Sequence, residues 1–568
     1  PTTAEYEAAL QKAYLASVQP TATAANPLWP MDAYRSMYWT RLWIWQAWEY
    51  SYLAYRQSQP EEYSKWATVA LKIGQNGIAL CQQLYAVSRD PEVFIVTCHL
   101  TLELTESFAA FKQVEEYLQT LEPALEAFPD TLEMRFLKGR CARSKARSQY
   151  FARNNRAAAL EEYKKAADWF ARGGQRIDQM DISIELAYMY TLESAPADWE
   201  PEVARRLQEL VTMSEKYSYP NGRYFGLGFQ GVLKARGGHY AEAEKLLRHS
   251  LTQLSTWSRE TKESSVARAQ SLQKPEVRLF SDTLVEILLK QNRHAEALEA
   301  SQAIKSEAES AGIDLTRIVP KDPESAKDLQ QLEKARLRSG QLRTELQSAQ
   351  VQGNQVAVQE LQGQLASSKA DFVKTVNRLR QRDPDFEKLL SVKPSSFAKL
   401  QAQLPAGVLV VEYYTSADKL IVFAVTNKEL QIFSSPLGRK DVMDKVRALR
   451  RATVERKSAL SESGQLYTAL IAPLEPLLKD NKVLAVIPSG YLYYLPFSAL
   501  TNPQGKYLNE TVSVCLLTAT ELPEVGSYKS SGKPTSLLAL ANPDGSLPGA
   551  SREVEELAKL FPTKNTYL

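Results

Sequence analysis

The apolar positions in the N-terminal half of the chain recur at helical spacing. From Glu61 to about Lys305, apolar residues return every three or four positions, and no segment of useful length alternates as a strand would. Short turn sequences interrupt the pattern, namely Arg89-Asp90-Pro91, Phe128-Pro129-Asp130, Gly173-Gly174 and Gly237-Gly238. Helices in pairs with short connections are typical of an α-solenoid. We therefore predict a helical repeat array over residues 61–320.

Two stretches of this array repeat each other, HYAEAEKLL at 239–247 and RHAEALEA at 293–300. In the first unit the small residues Gly231 and Ala243 allow two helices to approach closely, and Leu247 fills the space beside them. The arrangement resembles the tetratricopeptide repeat. That resemblance implies that the array binds a protein partner.

An aromatic-rich helical segment, residues 1–60, precedes the array. Tyr38, Trp45, Trp48, Tyr52 and Tyr55 are spaced so that they share one helical face. The face fits either packing within the helical array, which we favour, or a surface for stacking a ligand or binding a partner.

Residues 321–384 change in character, because apolar residues thin to a seam among Gln, Ser, Lys, Arg and Glu. Steps of three and four recur on both sides of a break at Gln352-Gly353-Asn354, first at Leu332, Ala335, Ser339, Leu342 and Leu346. This spacing predicts an antiparallel helical hairpin with coiled-coil-like packing. The hairpin would act as a spacer or as a lever.

From Gly407 onward the pattern predicts strands, in a domain over residues 395–568. Three apolar runs at 407–434 are separated by short turns and predict a meander. The run Val483–Ile487 is apolar throughout and predicts a parallel strand buried on both faces. TVSVCLL at 511–517 predicts another buried strand, and SLLAL at 536–540 a further one, with crossover helices between them.

A strongly basic segment, Lys440 to Lys457, follows the meander. It reads as a solvated helix face, and the less favoured alternative is a docking surface for an acidic partner.

The order of four C-terminal motifs resembles the CHAT-domain family of caspase-like cysteine peptidases. The motifs are QLYTALIAPLEPLL, VLAVIPSGYLYYLPFSAL, YLNETVSVC and LLALANPDGSLPGASREVEEL. Members commonly carry tetratricopeptide repeats before this domain. The resemblance implies a multidomain chain, in which an all-α tetratricopeptide-like solenoid and a helical hairpin precede an incomplete α/β caspase-like (CHAT) domain. Ser489 departs from the acidic residue that is usual at its position.

The family's catalytic histidine and cysteine are implied to follow the helix at Glu553–Leu560. The sequence ends at Leu568 and contains no histidine after His294. We therefore expect both catalytic residues to lie beyond Leu568, and we predict that the chain as given does not hydrolyse peptides. Cys515 is expected to be a buried strand residue, and without a base its thiol would be mostly protonated.

The other candidate residues give weaker signals. His239, His249 and His294 lie within repeat units and are expected to cap or pack helices. Cys98 and His99 are adjacent in a predicted helix, so their side chains point to different faces and are not expected to form a catalytic pair.

Composition and charge exclude several functions. The 568 residues carry a net charge of +3, which gives no reason to expect nucleic-acid binding. The cysteines are scattered without a CxxC, so we expect no disulfide framework, metal site or cofactor, and a reducing cytoplasmic location. No apolar run reaches the length of about 18 residues that suggests a membrane span.

Two functions remain open. The chain is either the N-terminal portion of a CHAT-type cysteine peptidase that cleaves a protein substrate under control of a partner bound by the repeats, or a non-catalytic tetratricopeptide scaffold with a degenerate or incomplete peptidase domain.

Overall fold

The computed structural model describes residues 28–56, 60–107, 118–119, 121–123, 125–126, 128–191, 197–260, 271–272, 274–311, 322–382, 396–518, 536–540, 548–561 and 563–567. The chain divides into two compact units. The helical unit comprises Pro1–Ile287 and Asp314–Asp383, and the α/β unit comprises Leu288–Ile313 and Pro384–Leu568. None of the described helices is both long and apolar enough to cross a membrane.

The helices whose bounds the structure describes lie between Trp29 and Ala558. In chain order they are α1 (Trp29–Arg56), α2 (Pro60–Ser88), α3 (Pro91–Ser107), α4 (Leu132–Phe151), α5 (Arg156–Arg172), α6 (Arg176–Thr191), α7 (Glu200–Lys216), α8 (Pro220–Arg236), α9 (Tyr240–Glu260), α10 (Pro275–Lys290), α11 (His294–Ala311), α12 (Pro323–Val351), α13 (Gln355–Arg382), α14 (Phe397–Gln403), α15 (Arg439–Val454), α16 (Leu460–Leu470), α17 (Glu475–Leu478) and α18 (Pro548–Ala558).

The strands lie in the C-terminal part of the chain. They are β1 (Val408–Thr415), β2 (Leu420–Val425), β3 (Leu430–Ser435), β4 (Val483–Ile487), β5 (Ser513–Leu516), β6 (Ser536–Leu540) and β7 (Thr563–Tyr567). A helical region followed by a mixed sheet confirms the predicted fold class.

Small residues let neighbouring helices of the helical unit approach closely. A Cβ added to Gly231 on α8 would lie 2.7 Å from Leu247 Cγ and 3.3 Å from the Ala243 carbonyl oxygen, both on α9. A Cβ added to Gly139 on α4 would lie 2.6 Å from a ring carbon of Phe170 on α5. Gly231, Ala243 and Leu247, which the repeat pattern singled out, therefore lie where two helices meet, and the region is consistent with a repeat-like solenoid.

The first helix exposes part of its aromatic face. Tyr38 is 62% exposed, with its ring edge-on to Trp39 at 5.5 Å between centroids, so it does not join the packing that its spacing suggested. Trp39 and Trp43 instead pack against a core that α1 shares with α2 and α3. The structure does not describe the side chains of the other residues predicted to share this face, which are Trp45, Trp48, Tyr52 and Tyr55.

Helices α12 and α13 pack against each other as an antiparallel hairpin. Of the predicted seam positions, Leu332, Leu342 and Leu346 are buried. Ser339 is buried as well, and its hydroxyl is 2.8 Å from that of Ser368 on the facing helix. The two hydroxyls satisfy each other, so the seam carries a polar pair without an unpaired buried group.

The main sheet of the α/β unit has five strands in the order β3-β2-β1-β4-β5. The strands β1, β2 and β3 form the predicted antiparallel meander, whereas β1–β4 and β4–β5 are parallel. A separate parallel pair joins β6 to β7. The short turns of the meander and the helix α18 between β6 and β7 are connections that the sequence pattern predicts. The crossover helix expected between β4 and β5 is not found, because 3-10 segments join these two strands.

Both faces of the central strands are covered. On one face, Leu409 and Val486 pack in a core with Val446 of α15 and Leu466 of α16. Residues of the opposite face, such as Val410 and Ile487, are also buried, and α11 lies against that side through contacts with Glu412. Burial on both faces explains the unbroken apolar runs.

The strand predicted at 511–517 is present, but the prediction that it is buried is wrong. The strand β5 is short, and Ser513, Cys515 and Leu516 are exposed, Leu516 by 53%. Among the described residues β5 forms the end of the sheet, with β4 as its one neighbouring strand. Its apolar composition therefore does not imply full burial.

Candidate functional site

The stretch from Val483 to Leu500 consists of a strand of the main sheet and the segment that follows it. Its strand β4 pairs with β1 on one side and β5 on the other, and Leu484 and Ile487 are fully buried. A 3-10 segment, Gly490–Tyr494, follows directly. Gly490 has φ +55°, a conformation that favours glycine and redirects the chain over the end of the strand.

Strands β1 and β4 are parallel, so their carboxyl ends meet at one edge of the sheet. There, Thr415 Oγ1 lies 3.2 Å from Ser489 Oγ, and Arg439 Nη2 donates a hydrogen bond of 2.9 Å to the Thr415 carbonyl. Open α/β sheets bind ligands outside the carboxyl ends of their strands. This edge is therefore the candidate site, and the loops after β1 and β4 form its base.

Tyr413, two residues before Thr415 on β1, anchors the strand that ends at this edge. It is fully buried, its hydroxyl donates a 2.8 Å hydrogen bond to the Leu470 carbonyl, and its ring stacks on Phe497 at 5.6 Å. Burial raises the pKa of Tyr413 far above its ordinary value, so the phenol stays neutral. Tyr413 thus connects β1 to α16 and to the segment after β4.

A buried ion pair attaches α11 to the sheet. Glu412 on β1 is 1% exposed, and its Oε1 lies 3.1 Å from Lys305 Nζ. Lys305 also donates a 2.6 Å hydrogen bond to the Tyr413 carbonyl, and Ser301 Oγ donates to Glu412. Sequence reasoning missed this cluster, although a lone glutamate in the apolar run VLVVEYYT was a usable signal, since buried carboxylates require partners.

Cys515 lies on β5, two strands away from β1, and its side chain is exposed. The expectation that it is buried is wrong. Partial desolvation still raises the pKa of the Cys515 thiol, so the thiolate is scarce near neutral pH. No histidine follows His294 in the sequence.

The cysteines of the helical unit are poorly suited to nucleophilic chemistry. Cys81, Cys98 and Cys141 are buried. Burial raises the pKa of Cys81 to about 11, and it raises that of Cys98 still further. The neighbour of Cys98, His99, lies 3.8 Å from Glu133 and its ring packs on Phe136. The arrangement supports the interpretation of these residues as structural.

The remaining predicted positions behave as helix-start residues or surface residues. His294 begins α11, His239 directly precedes α9, and His249 lies 3.4 Å from Gln253 on an exposed helix face. In the part of the chain that the structure describes, no cluster of His, Cys, Asp or Glu could hold a metal ion.

Comparison with known proteins bears on the C-terminal part alone. A search of curated proteins returns no match. The family model of the CHAT domain matches residues 461–568, the part of the chain that begins within α16 and contains β4, β5, the β6–β7 pair and α18. The resemblance inferred from the motif order is thereby confirmed: residues 461–568 of this chain match the CHAT domain.

Proposed function

We propose that the α/β unit belongs to a caspase-related cysteine peptidase that cleaves a protein substrate, and that the helical repeats bind a protein partner that controls it. The match of residues 461–568 to the CHAT domain carries the proposal. The shared carboxyl edge of β1 and β4 supports it, because this is where a sheet of this class would receive a ligand.

In this proposal the residues of the chain shape the site, and a catalytic histidine and cysteine beyond Leu568 cleave the peptide bond. The family's histidine takes a proton from its cysteine, whose thiolate then attacks the peptide carbonyl. We assign neither role within the 568 residues, since Cys515 has a raised pKa and no histidine follows His294. The contacts among Thr415, Arg439 and Ser489 would fix the backbone of the loops after β1 and β4, and a substrate would bind against these loops.

The contact between α11 and β1 offers a physical route for control. The helix begins at His294, in the sequence that repeats the tetratricopeptide-like phrase, and Lys305 and Ser301 reach Glu412 beside the candidate edge. A partner that shifts α11 would disturb a buried charge on the strand that ends at that edge. We therefore place the regulatory input at this helix.

The test compares peptidase activity of the 568-residue chain with that of the product of the complete reading frame. Both are incubated with an unfolded protein substrate, and fragments are measured by mass spectrometry. We expect no cleavage by the 568-residue chain, cleavage by the complete product, and no effect of Cys515→Ser on that cleavage. Activity of the 568-residue chain that Cys515→Ser abolishes would contradict the assignment.

A non-catalytic scaffold is the second candidate. The close approach of α8 and α9 at Gly231 favours it, since a stacked helical array offers an extended binding surface. Under this alternative, neither protein cleaves any substrate, with or without a partner captured by the helical unit, and partner binding persists when the α/β unit is disrupted by Lys305→Met.

A further inference from the structure

The second half of α15 carries an excess of positive charge at the surface. Between Lys445 and Lys457 the sequence contains one acidic residue, Glu455, whose carboxylate lies 2.7 Å from Lys457 Nζ. Arg450 and Arg451 are exposed, and within the described part of the chain neither forms an ion pair. The charge of Arg450 is therefore open to a partner, and that of Arg451 is offset only in part, by Glu455.

The acidic residues at the start of the helix are already engaged. Asp441 accepts a 3.1 Å hydrogen bond from the Gly438 amide, and Asp444 lies 2.6 Å from Lys440 Nζ. Arginines near a helix C-terminus are favoured by the helix dipole, which accounts for part of this distribution. It does not account for several like charges spaced three or four residues apart, since such neighbours repel each other.

Two tyrosines from the segment after β4 contact Arg447 and Arg450 and restrict their side chains. The guanidinium of Arg447 lies 5.0 Å from the ring centroid of Tyr491 and donates a 2.9 Å hydrogen bond to its hydroxyl. The guanidinium of Arg450 lies 5.3 Å from the ring centroid of Tyr494, which is 49% exposed. A guanidinium that lies on a ring has fewer conformations to lose on binding, and its planar fork suits a carboxylate.

We propose that this basic–tyrosine surface, formed by Arg447, Arg450, Arg451, Tyr491 and Tyr494, binds an acidic segment of another protein. Charge complementarity identifies the occupant, because carboxylates would relieve the repulsion along α15 and accept paired hydrogen bonds from the guanidinium groups. Its two tyrosines lie in the segment after β4, close in sequence to Ser489 of the candidate edge. The proposal does not depend on peptidase activity.

An acidic protein segment fits better than a single-stranded nucleic acid. Bases bind such surfaces by stacking on open aromatic faces. Here each ring already carries a guanidinium, and the rings of Tyr491 and Tyr494 are tilted by 47° at 6.1 Å, so they form no flat platform. The net charge of +3 on the whole chain adds little attraction for a phosphate backbone.

The experiment measures binding of a short fluorescein-labelled peptide of alternating Glu and Gly to the full 568-residue chain by fluorescence anisotropy, with a Gln–Gly peptide and oligo(dT) as competing probes. We expect the acidic peptide alone to bind, more weakly as salt rises. The double variant Arg447→Gln/Arg450→Gln should weaken binding about tenfold, through loss of two charge-assisted contacts. Because Arg447 is partly buried, the exposed single variant Arg450→Gln tests the surface independently of any folding defect.

Two control variants remove a similar positive charge outside the proposed surface. Lys440→Gln removes a charge from the first turn of the same helix, and Arg172→Gln removes an exposed arginine that lies 5.4 Å from the ring of Trp169. Both should change the affinity by less than about twofold. Equal binding of the Glu and Gln peptides, tighter binding of oligo(dT), or equal loss in the control variants would overturn the proposal. Self-association of the chain that Arg450→Gln abolishes would instead identify a second copy as the occupant.

Discussion

Two carboxylates at low-exposure positions, Glu185 in the helical unit and Glu412 in the α/β unit, are neutralised in different ways. Glu185 on α6 receives both Arg143 and Arg147 from α4, with Arg147 Nη2 at 2.7 Å from Oε1 and Nε at 3.0 Å from Oε2. Glu412 has one lysine and one serine, both from α11, and among the described residues its Oε2 has no hydrogen-bond partner.

The difference shows how much each carboxylate depends on a single neighbour. Glu185 keeps one guanidinium if the other is lost, and its side chain is 17% exposed. Glu412 has no second cation beside it in the contacts of the described chain, and it is 1% exposed. A buried charge that loses its counter-ion is costly, so the attachment of α11 to β1 should be the more fragile of the two arrangements.

The largest effect is expected from Lys305→Met. The substitution keeps an unbranched chain but leaves the Glu412 carboxylate buried without its cation, which typically costs about 3–5 kcal/mol. Urea unfolding of the 568-residue chain, followed by hydrogen–deuterium exchange of peptides from 408–516, should show the transition of the α/β unit moving to much lower urea. Tryptophan fluorescence would not report this transition, because all the tryptophans lie in the helical unit.

The double variant Lys305→Met/Glu412→Leu is the control for this prediction. Replacing both charges by apolar groups removes the uncompensated carboxylate, so most of the lost stability should return. If Lys305→Met alone leaves the transition unchanged, the ion pair does not hold α11 against the sheet, and the proposed regulatory input loses its physical basis.

A smaller loss is expected from Glu185→Gln. The amide keeps the shape of the side chain but leaves Arg143 and Arg147 without a counter-charge, and hydrogen bonds to charged groups contribute about 1.5–3 kcal/mol. Both arginines are partly exposed, so solvent offsets some of the loss. Thermal unfolding of the helical unit should shift downward, by less than the shift that Lys305→Met causes in the α/β unit.

Acid should reveal the Glu185 arrangement selectively. Burial raises the pKa of Glu185, but Arg143 and Arg147 more than offset it, and the pKa is lowered from its ordinary value. A carboxyl with a lower pKa in the folded state contributes stability above its unfolded pKa of about 4.3, and this contribution is lost as pH falls through the folded pKa.

Wild type and Glu185→Gln should therefore differ in stability at pH 7 and converge as pH falls below about 4. Both proteins are compared in an Asp181→Asn background, because the pKa of Asp181 is raised by burial and also by the charge of Glu185, and its pH effect has the opposite sign. A difference in urea midpoint that stays constant down to the lowest pH at which both fold would show that Glu185 is not stabilised as the anion.

The sequence predicted the elements better than the contacts among them. Apolar periodicity predicted the helices, the meander and strand β4, because each reflects local burial. The contact between α11 and β1 joins residues more than a hundred positions apart, and Ser301 and Lys305 look like ordinary polar helix residues until the fold brings Glu412 beside them. The exposure of β5 was missed for a related reason, since an apolar strand has the same composition at the end of a sheet as in its interior.

The smallest effect is expected at Cys515, whose thiol is the exposed one among the free cysteines. Cys515→Ser should change the free energy of unfolding by less than about 0.5 kcal/mol, because exposed substitutions rarely cost more.

Under native conditions iodoacetamide should modify Cys515 before Cys81 and Cys98, yet more slowly than a free thiol at the same pH, because the pKa of Cys515 is raised. Peptide mass spectrometry after timed quenching measures both rates. Faster alkylation of Cys515 than of a free thiol would mean that a cationic or basic group activates it, and would contradict the proposal that Cys515 has no catalytic role.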